Sequence, residues 1–409
     1  MLPVETDILV VGAGPTGLAL ATALRQNGVD HLLVDALDGP QNTSRAAVVH
    51  AHTLEMLDSI GVVGALEAQA IVLPNFTVRD RDRALLGMSF TRLPSAFRHL
   101  LMVPQPTTEA VIEARLRDLG GAVHRGVTAL AATPDATGAT VTVKTATGEQ
   151  AIRARYVVGA DGMHSAIREA AGIDFHGAAY GESFVLADVA MDWPLNDEVS
   201  LFFSPAGLVV VAPLPDGTYR VVATLDDAPE KPGIADIQHL LDTRGPTMPV
   251  RVTAIGWASR FRVHHRLADT YRNGPFLLMG DAAHVHSPAG GQGMNTGLVD
   301  AIVLGEALTR VVRDHAPDSV LDDYAGIRRP AAKEVLALAG RLTRMATLRA
   351  APARWLRNLL LRVLDHLPPL KGKLIMGLSG LARRRFAHLP PPAGPAATPK
   401  PAASRLAVC

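Results

Sequence analysis

Asp7-Ile-Leu-Val-Val-Gly12-Ala13-Gly14-Pro15-Thr16-Gly17, followed by LALATALRQNG up to Gly28, is an apolar strand, a glycine turn and a helix in direct succession. The β-rich apolar run reads as a buried parallel strand, and the periodic stretch after Gly17 reads as a helix closed by Gly28. Gly12 permits the tight turn, Gly14 lets the backbone approach a pyrophosphate, and Gly17 lets helix and strand pack closely. A phosphate then lies on the helix N-terminus, where free N–H groups and the dipole favour an anion. A second apolar strand, His31-Leu-Leu-Val-Asp35, ends on a carboxylate placed for ribose hydroxyls. The frame of strand, helix, strand and terminal acid predicts a dinucleotide site and leaves FAD and NAD both open.

Two distant segments favour FAD. Tyr156-Val-Val-Gly159-Ala-Asp161-Gly162-Met-His-Ser165 reads as a buried strand entering a helix. Pro275-Phe-Leu-Leu-Met-Gly280-Asp281 reads as another strand ending on an acid, and Pro288, Gly290, Gly291, Gly293, Met294 and Asn295 then open a long helix. Asp281 can accept from polyol hydroxyls, and amides between Gly291 and Asn295 can hydrogen-bond a ring carbonyl and stabilise an anion. A nicotinamide nucleotide alone does not need a ribityl and ring site so far along the chain.

Three ordered motifs, GAGPTGLALA (12–21), VVGADGMHSAIR (157–168) and LLMGDAAHVHSPAGGQGMNTGLVDA (277–301), resemble the FAD-dependent aromatic hydroxylases of the p-hydroxybenzoate hydroxylase type, in the branch acting on polyketides and larger phenols. The resemblance spans roughly residues 4–388. It is supported by Ser44-Arg45-Ala46, Thr53-Leu54-Glu55, Gln105, Trp257 to Phe261, Leu378 to Leu381 and Arg385-Phe386. It implies that Asp35 binds the adenosine ribose and that Arg45 and Gln105 contact the phosphate-ribityl stretch. Asp161 and Gly162 would serve both FAD and NAD(P)H, Asp281 the ribityl and diphosphate region, and Pro288 through Asn295 the isoalloxazine ring. NADPH or NADH would be the reductant and O2 the co-substrate, with a flavin C4a-hydroperoxide delivering one oxygen to a small aromatic substrate. The chain departs from the pattern at His52, where the family often has Arg, and at Val303, where it often has Asn. Many relatives continue into a thioredoxin-like domain. About twenty residues follow Phe386, so that domain is expected to be absent.

The expected fold is α/β: a Rossmann-type FAD-binding domain (1–75, 99–175 and 269–320), an inserted antiparallel substrate sheet (76–98 and 176–268), C-terminal helices (321–388) and a Pro/Ala-rich disordered tail (389–409). The helices are expected to break at Pro317, Pro330, Pro352 and Pro368-Pro369. The basic stretch Arg341 to Arg385 reads as a packed helical subdomain with solvated arginines rather than a membrane-surface helix. Hydrophobic residues make up 48% and charged ones 19% with net charge +1, which argues against disorder and gives no chain-wide field favouring nucleic acid or an anionic membrane. The sole cysteine, Cys409, argues against disulfides and Cys-based metal sites. With no leader-like N-terminus and no spanning apolar run, a cytoplasmic monomer or homodimer without stable membrane insertion is expected. His284 and His286 alternate without a third ligand, so structural roles are expected and no metal. His264-His265-Arg266 could meet a nicotinamide nucleotide phosphate or lie on the surface, and Phe184, Trp193, Phe202 and Phe203 could be core or substrate contacts. The isolated tryptophans 193, 257 and 355 argue against a halogenase, whose signature is Trp-x-Trp. Baeyer–Villiger or epoxidising chemistry, and a flavin-binding protein that does not oxygenate, remain open.

Overall fold

The computed structural model describes residues 2–39, 46–225, 229–348 and 350–391, without the side chains of 179–182 and 262–263. Five parallel strands lie side by side in the order Phe276–Leu278, Gly148–Gly159, Glu5–Val11, His31–Val34 and Val123–His124. Their apolar runs are in register: Leu277, Val158, Val10 and Leu33 form one row across the sheet, each at most 1% exposed. A sheet buried on both faces needs such continuous apolar strands. Helix α1 (Pro15–Gln26) crosses over between the first two strands.

Beyond it come α2 (Ala51–Asp58), α3 (Val63–Glu67), α4 (Gln105–Asp118), α5 (Ala166–Ala170), α6 (Ile234–Arg244), α7 (Gly293–Val312), α8 (Ser319–Ala346), α9 (Ala351–Asp365) and α10 (Pro368–Leu378). Small residues let α7 lie against α1 and the sheet edge. A Cβ on Gly297 would sit 2.6 Å from Thr16 Oγ1, and one on Gly305 would sit 2.9 Å from Ala23 Cβ.

The second sheet runs His284–Val285, Arg251–Ala268, Phe175–Asp192, Tyr219–Thr224, Gly207–Pro213, Val199–Ser204, Asn75–Asp80 and Arg83–Ser89. It is antiparallel except where Val199–Ser204 pairs parallel with Asn75–Asp80, because the hairpin 75–89 reaches the sheet edge from a distant part of the chain. Two strands of 18 residues each, Phe175–Asp192 and Arg251–Ala268, carry the chain into this sheet and back. A third, small antiparallel sheet (Val48–Val49, Leu100–Met102, Ile71–Leu73) lies among the segments that follow Ala46. The aromatic candidates on the second sheet are core. Phe184 stacks on Phe261 at 5.7 Å, Trp193 meets Phe202 edge-on at 5.9 Å, and Phe203 lies under Arg357.

Three expectations for the C-terminal third are corrected. Helix α8 runs through Pro330 unbroken. An interior proline costs about 3 kcal/mol, and burial of the apolar Ala331, Ala332 and Val335 beside it works against that cost. Pro352 and Pro368-Pro369 do sit in the first turns of α9 and α10, where a missing N–H is harmless. The arginines are not all solvated: Arg357 and Arg383 are buried, while α9 turns leucines outward. Leu389 is also buried, and Pro390 O accepts a 2.7 Å bond from Arg310, so ordered chain extends past residue 388. Residues 392–409 lie outside the described residues.

Candidate functional site

The carboxyl ends of the parallel strands meet at one edge, where open α/β sheets bind ligands. Gly12 N donates to Val34 O at 2.8 Å, Ala160 N to Val11 O at 2.8 Å, and Met279 N to Gly159 O at 3.1 Å. The Gly12 turn, Asp35, the Asp161 loop and the Gly280-Asp281 turn are therefore neighbours in space. The strand order reverses at Glu5–Val11, flanked by the strand that follows it and by one from far downstream, which is where the ligand crevice of such sheets lies.

Each glycine of the turn has its own requirement. Gly12 has φ +105°, and a Cβ there would meet Ala160 O at 2.4 Å. A Cβ on Gly17 would lie 1.8 Å from Gly12 O, so Gly17→Ala is expected to cost about 4 kcal/mol or more and to be seen as loss of the urea unfolding transition. Gly14 differs, since a Cβ there meets nothing within 4 Å. It is the residue before α1, where no side chain caps the helix; Pro15 carries no N–H, so the first-turn donors left for a ligand are the Thr16 and Gly17 amides. Asp35 Oδ2 accepts from Ala13 N at 2.5 Å and Oδ1 from Leu37 N at 2.8 Å, which holds the carboxylate beside the turn.

Asp161 is largely buried, and burial raises its pKa. Its Oδ2 accepts from Ile167 N at 3.2 Å, and Ser165 Oγ from Arg168 N at 2.9 Å, so both cap α5. Arg168 then ties this loop to the next. It donates to Met163 O and Ala282 O, both at 3.0 Å, and lies 4.1 Å from the Phe175 ring centre. Asp281 is exposed on the crevice side of a 3-10 turn, Gly280–Ala282. Gly280, at φ +57°, has Thr16 2.9 Å from where its Cβ would be, so the turn rests on α1.

Pro288 O accepts from Gly291 N at 2.9 Å, turning the chain into α7. No side chain caps the N-terminus of α7, which leaves the amides of Gly293, Met294 and Asn295 for a ligand. The Asn295 side chain is used internally. It accepts from His50 N at 2.8 Å and donates to Val48 O at 2.8 Å and Gly291 O at 2.7 Å. It thereby pins strand Val48–Val49 against the α7 entrance. Gln105, at the start of α4, receives its position from its own N–H bond to Ala46 O at 3.0 Å. Its side chain donates to Glu109 Oε1 at 2.9 Å, and burial raises the Glu109 pKa. Arg45 lies outside the described residues.

Residues beyond the sequence candidates hold this frame. Asp300 in α7, fully buried, accepts from Gly280 N at 3.1 Å and from Arg328 Nε at 2.7 Å, and its Oδ2 lies 2.7 Å from His284 Nε2. Burial pushes its pKa up, but the Arg328 and His284 charges outweigh burial and leave it below the ordinary value. His284 is thus an internal partner of Asp300. Arg220 is also buried. It grips Asp188 with two bonds of 2.8 and 2.7 Å and donates to Ala46 O at 2.9 Å, joining the second sheet to the crevice loop. Asp300 stood inside a quoted motif; Arg220 carried no local signal. Among the described residues, Asp174, His176 and Asp269 have metal-like proximity but are all exposed.

Three histidines flank the α7 entrance, His50 and His52 buried and His286 partly buried. Burial, the largest cause, lowers His50, His52 and His286 to a pKa of about 4. Unfolded histidines take up protons below about 6.5 and these do not until about 4, so stability is lost as pH falls across that window. Denaturant titrations from pH 7 to pH 5 are expected to show a loss of about 2 kcal/mol per histidine at pH 5.

The family model described as FAD binding domain matches residues 5–339. The 6-methylpretetramide 4-monooxygenase of Streptomyces rimosus is 36% identical over 395 residues, covering 93% of this chain and 71% of that protein. The dialkyldecalin synthase of Streptomyces rugosporus is 32% identical over 324 residues, covering 78% of this chain and 68% of that protein. The crystal structure of p-nitrophenol 4-monooxygenase from Pseudomonas putida DLL-E4 matches with a TM-score of 0.84 at 25% identity, covering 92% of this chain and 98% of that one. The open space at Gly14, the anchored Asp35 and the uncapped α7 entrance fit FAD, and with these similarities the chain belongs to the FAD-dependent aromatic hydroxylases, a family of flavoprotein monooxygenases.

Proposed function

We propose that this protein hydroxylates a phenolic or polyketide-like aromatic substrate in the cytoplasm, at the expense of NADPH or NADH and O2. The carrying observation is that the Gly12–Gly17 turn, Asp281 and the uncapped α7 entrance share one crevice edge. FAD, held there by the Gly12–Gly17 turn, Asp35, Asp281 and the α7 amides, would supply the chemistry by which a nicotinamide nucleotide and O2 are spent on inserting one oxygen atom into the substrate. Helix α1 receives the pyrophosphate on its N-terminal amides, and Asp35 and Asp281 accept from ribose and ribityl hydroxyls. The amides of Gly293, Met294 and Asn295, uncapped by any side chain, would hold the flavin ring and stabilise negative charge on it. Asp161 and Gly162 keep their proposed shared role near the nicotinamide nucleotide, with Arg168 fixing that loop. Arg45 and Gln105 serve the phosphate-ribityl stretch, and His264-His265-Arg266 is a candidate contact for the nicotinamide nucleotide phosphate.

Water must be kept from the reacting centre. Ala47, Ala51, Met102, Ala212 and Leu214 belong to one apolar cluster that joins the segment after Ala46 to the second sheet and keeps water out of that junction. The test is substrate-dependent NADPH oxidation across a panel of phenols and fused-ring aromatics, with labelled O2 and product mass. A hydroxylated product with one labelled oxygen is expected. A lactone or epoxide would redirect the reading to Baeyer–Villiger or epoxidising chemistry. A second reading, a flavin-holding synthase, is favoured by the likeness to a dialkyldecalin synthase. It predicts product formation without NADPH consumption. A protein without flavin absorption that FAD cannot reconstitute would overturn both.

A further inference from the structure

Helix α9 is built inside out. Its buried side presents Arg357, whose guanidinium lies 4.1 Å from the Phe203 ring centre and donates to Met345 O at 2.9 Å, together with Leu361. The opposite arc presents Trp355, Leu356, Leu359, Leu360 and Val363 to solvent, with Trp355 68% and Leu360 57% exposed. Leu367 and Leu370, where the chain turns into α10, extend the same exposed surface. Of the thirteen large hydrophobics exposed among the described residues, these are seven, all within sixteen positions. A contiguous apolar surface of this kind marks an interaction face.

Charge decides what the face meets. Residues 341–391 contain eleven Lys and Arg against one acid, Asp365, in a chain whose total charge is +1. Arg357 and Arg383 are buried, and Arg384 and Arg385 pair with Glu55 and Glu334, which leaves seven cations against Asp365. Asp365 is already engaged, accepting from Gly87 N and from Lys371 Nζ, each at 3.0 Å. A second copy docking here across a twofold axis would bring two such cationic regions together, which like-charge repulsion opposes. An anionic lipid surface satisfies both features at once: the leucines and tryptophan enter the acyl boundary, and the basic residues meet the headgroup charge. Among the described residues no helix is long and apolar enough to cross a membrane, so contact is confined to the surface.

We infer that the α9–α10 face docks this protein reversibly on anionic membranes, laying α9 in the interfacial plane through Trp355, Leu359, Leu360 and Val363. The experiment is co-sedimentation of the flavin-loaded full chain with phosphatidylglycerol-containing vesicles and with pure phosphatidylcholine vesicles. Binding is expected to be roughly tenfold or more tighter on the anionic vesicles and to weaken as salt is raised. Leu360→Asp and Trp355→Glu, both at exposed positions away from the crevice, are expected to lose at least tenfold in vesicle affinity while keeping flavin content and melting temperature. The inference is overturned by equal binding to both vesicle types, by no binding, or by variants that bind as the parent does. A concentration-dependent dimer in sedimentation velocity that Leu360→Asp dissociates would equally overturn it and assign the face to a second copy.

Discussion

Arg328→Met is expected to destabilise the flavin-free protein by about 3–5 kcal/mol, read as a fall in the urea midpoint. Arg328 Nε lies 2.7 Å from Asp300 Oδ1, and both side chains are almost completely buried. Removing the guanidinium leaves a buried carboxylate that still accepts from Gly280 N and still faces His284. Its pKa, held below the ordinary value by Arg328 and His284 against burial, should rise, so the variant's deficit relative to the parent should narrow as pH falls. Arg328 also donates to Phe386 O at 2.8 Å, so the 3-10 segment Leu381–Phe386 loosens with it. The double variant Arg328→Met with Asp300→Leu removes both charges and should recover much of the loss, as buried pairs do when replaced together. If the single variant is as stable as the parent, Asp300 is not the anchor of the Gly280-Asp281 turn.

Gly14→Glu is the converse case, large in binding and small in stability. The Gly14 backbone (φ −70°, ψ −176°) suits any residue, and a Cβ there touches nothing within 4 Å. The flavin-free fold should therefore change by no more than about 0.5 kcal/mol. The same open space is where the pyrophosphate approaches the α1 amides, and a carboxylate there both fills it and repels the anion. FAD affinity is expected to fall at least about a hundredfold, roughly 3 kcal/mol, measured by fluorescence quenching on reconstitution. Undiminished FAD binding would mean the cofactor does not use this helix end. Gly17→Ala, where the added carbon collides with backbone, serves as the contrast, since it should fail in folding before binding can be measured.

The parallel strands, the glycine turn, Asp35 and the α7 entrance were legible because each depends on residues a few positions apart. An apolar run, a glycine with positive φ and a helix start are local events whose chemistry is written in adjacent letters. Asp161 and Asp281 were legible as strand ends, but only register across the sheet brings them to the same edge as Gly14. Asn295 reads from sequence as part of the flavin's lining; its side chain bonds Val48, His50 and Gly291, which leaves its backbone amide for that role. That outcome required the small third sheet, whose two- and three-residue strands are too short for any periodic pattern to reveal.

The C-terminal third marks the boundary most clearly. Its composition, basic and leucine-rich, was plain, and a packed subdomain was the reading that burial of leucines favours. Which arc of α9 faces the protein is set by its partners, the Phe203 ring and the hairpin 75–89, and these chose Arg357 over the leucines. By itself, then, the sequence determined a dinucleotide-type α/β unit with an anion-ready glycine turn and a second ligand region downstream. Tertiary structure alone decided the Asp300–Arg328 and Arg220–Asp188 pairs, the continuation of α8 through Pro330 and the outward leucines of α9. The physical reason is reach. Propensity and turn chemistry act over about four residues, whereas buried ion pairs and packing join positions that only the finished fold brings within bonding distance.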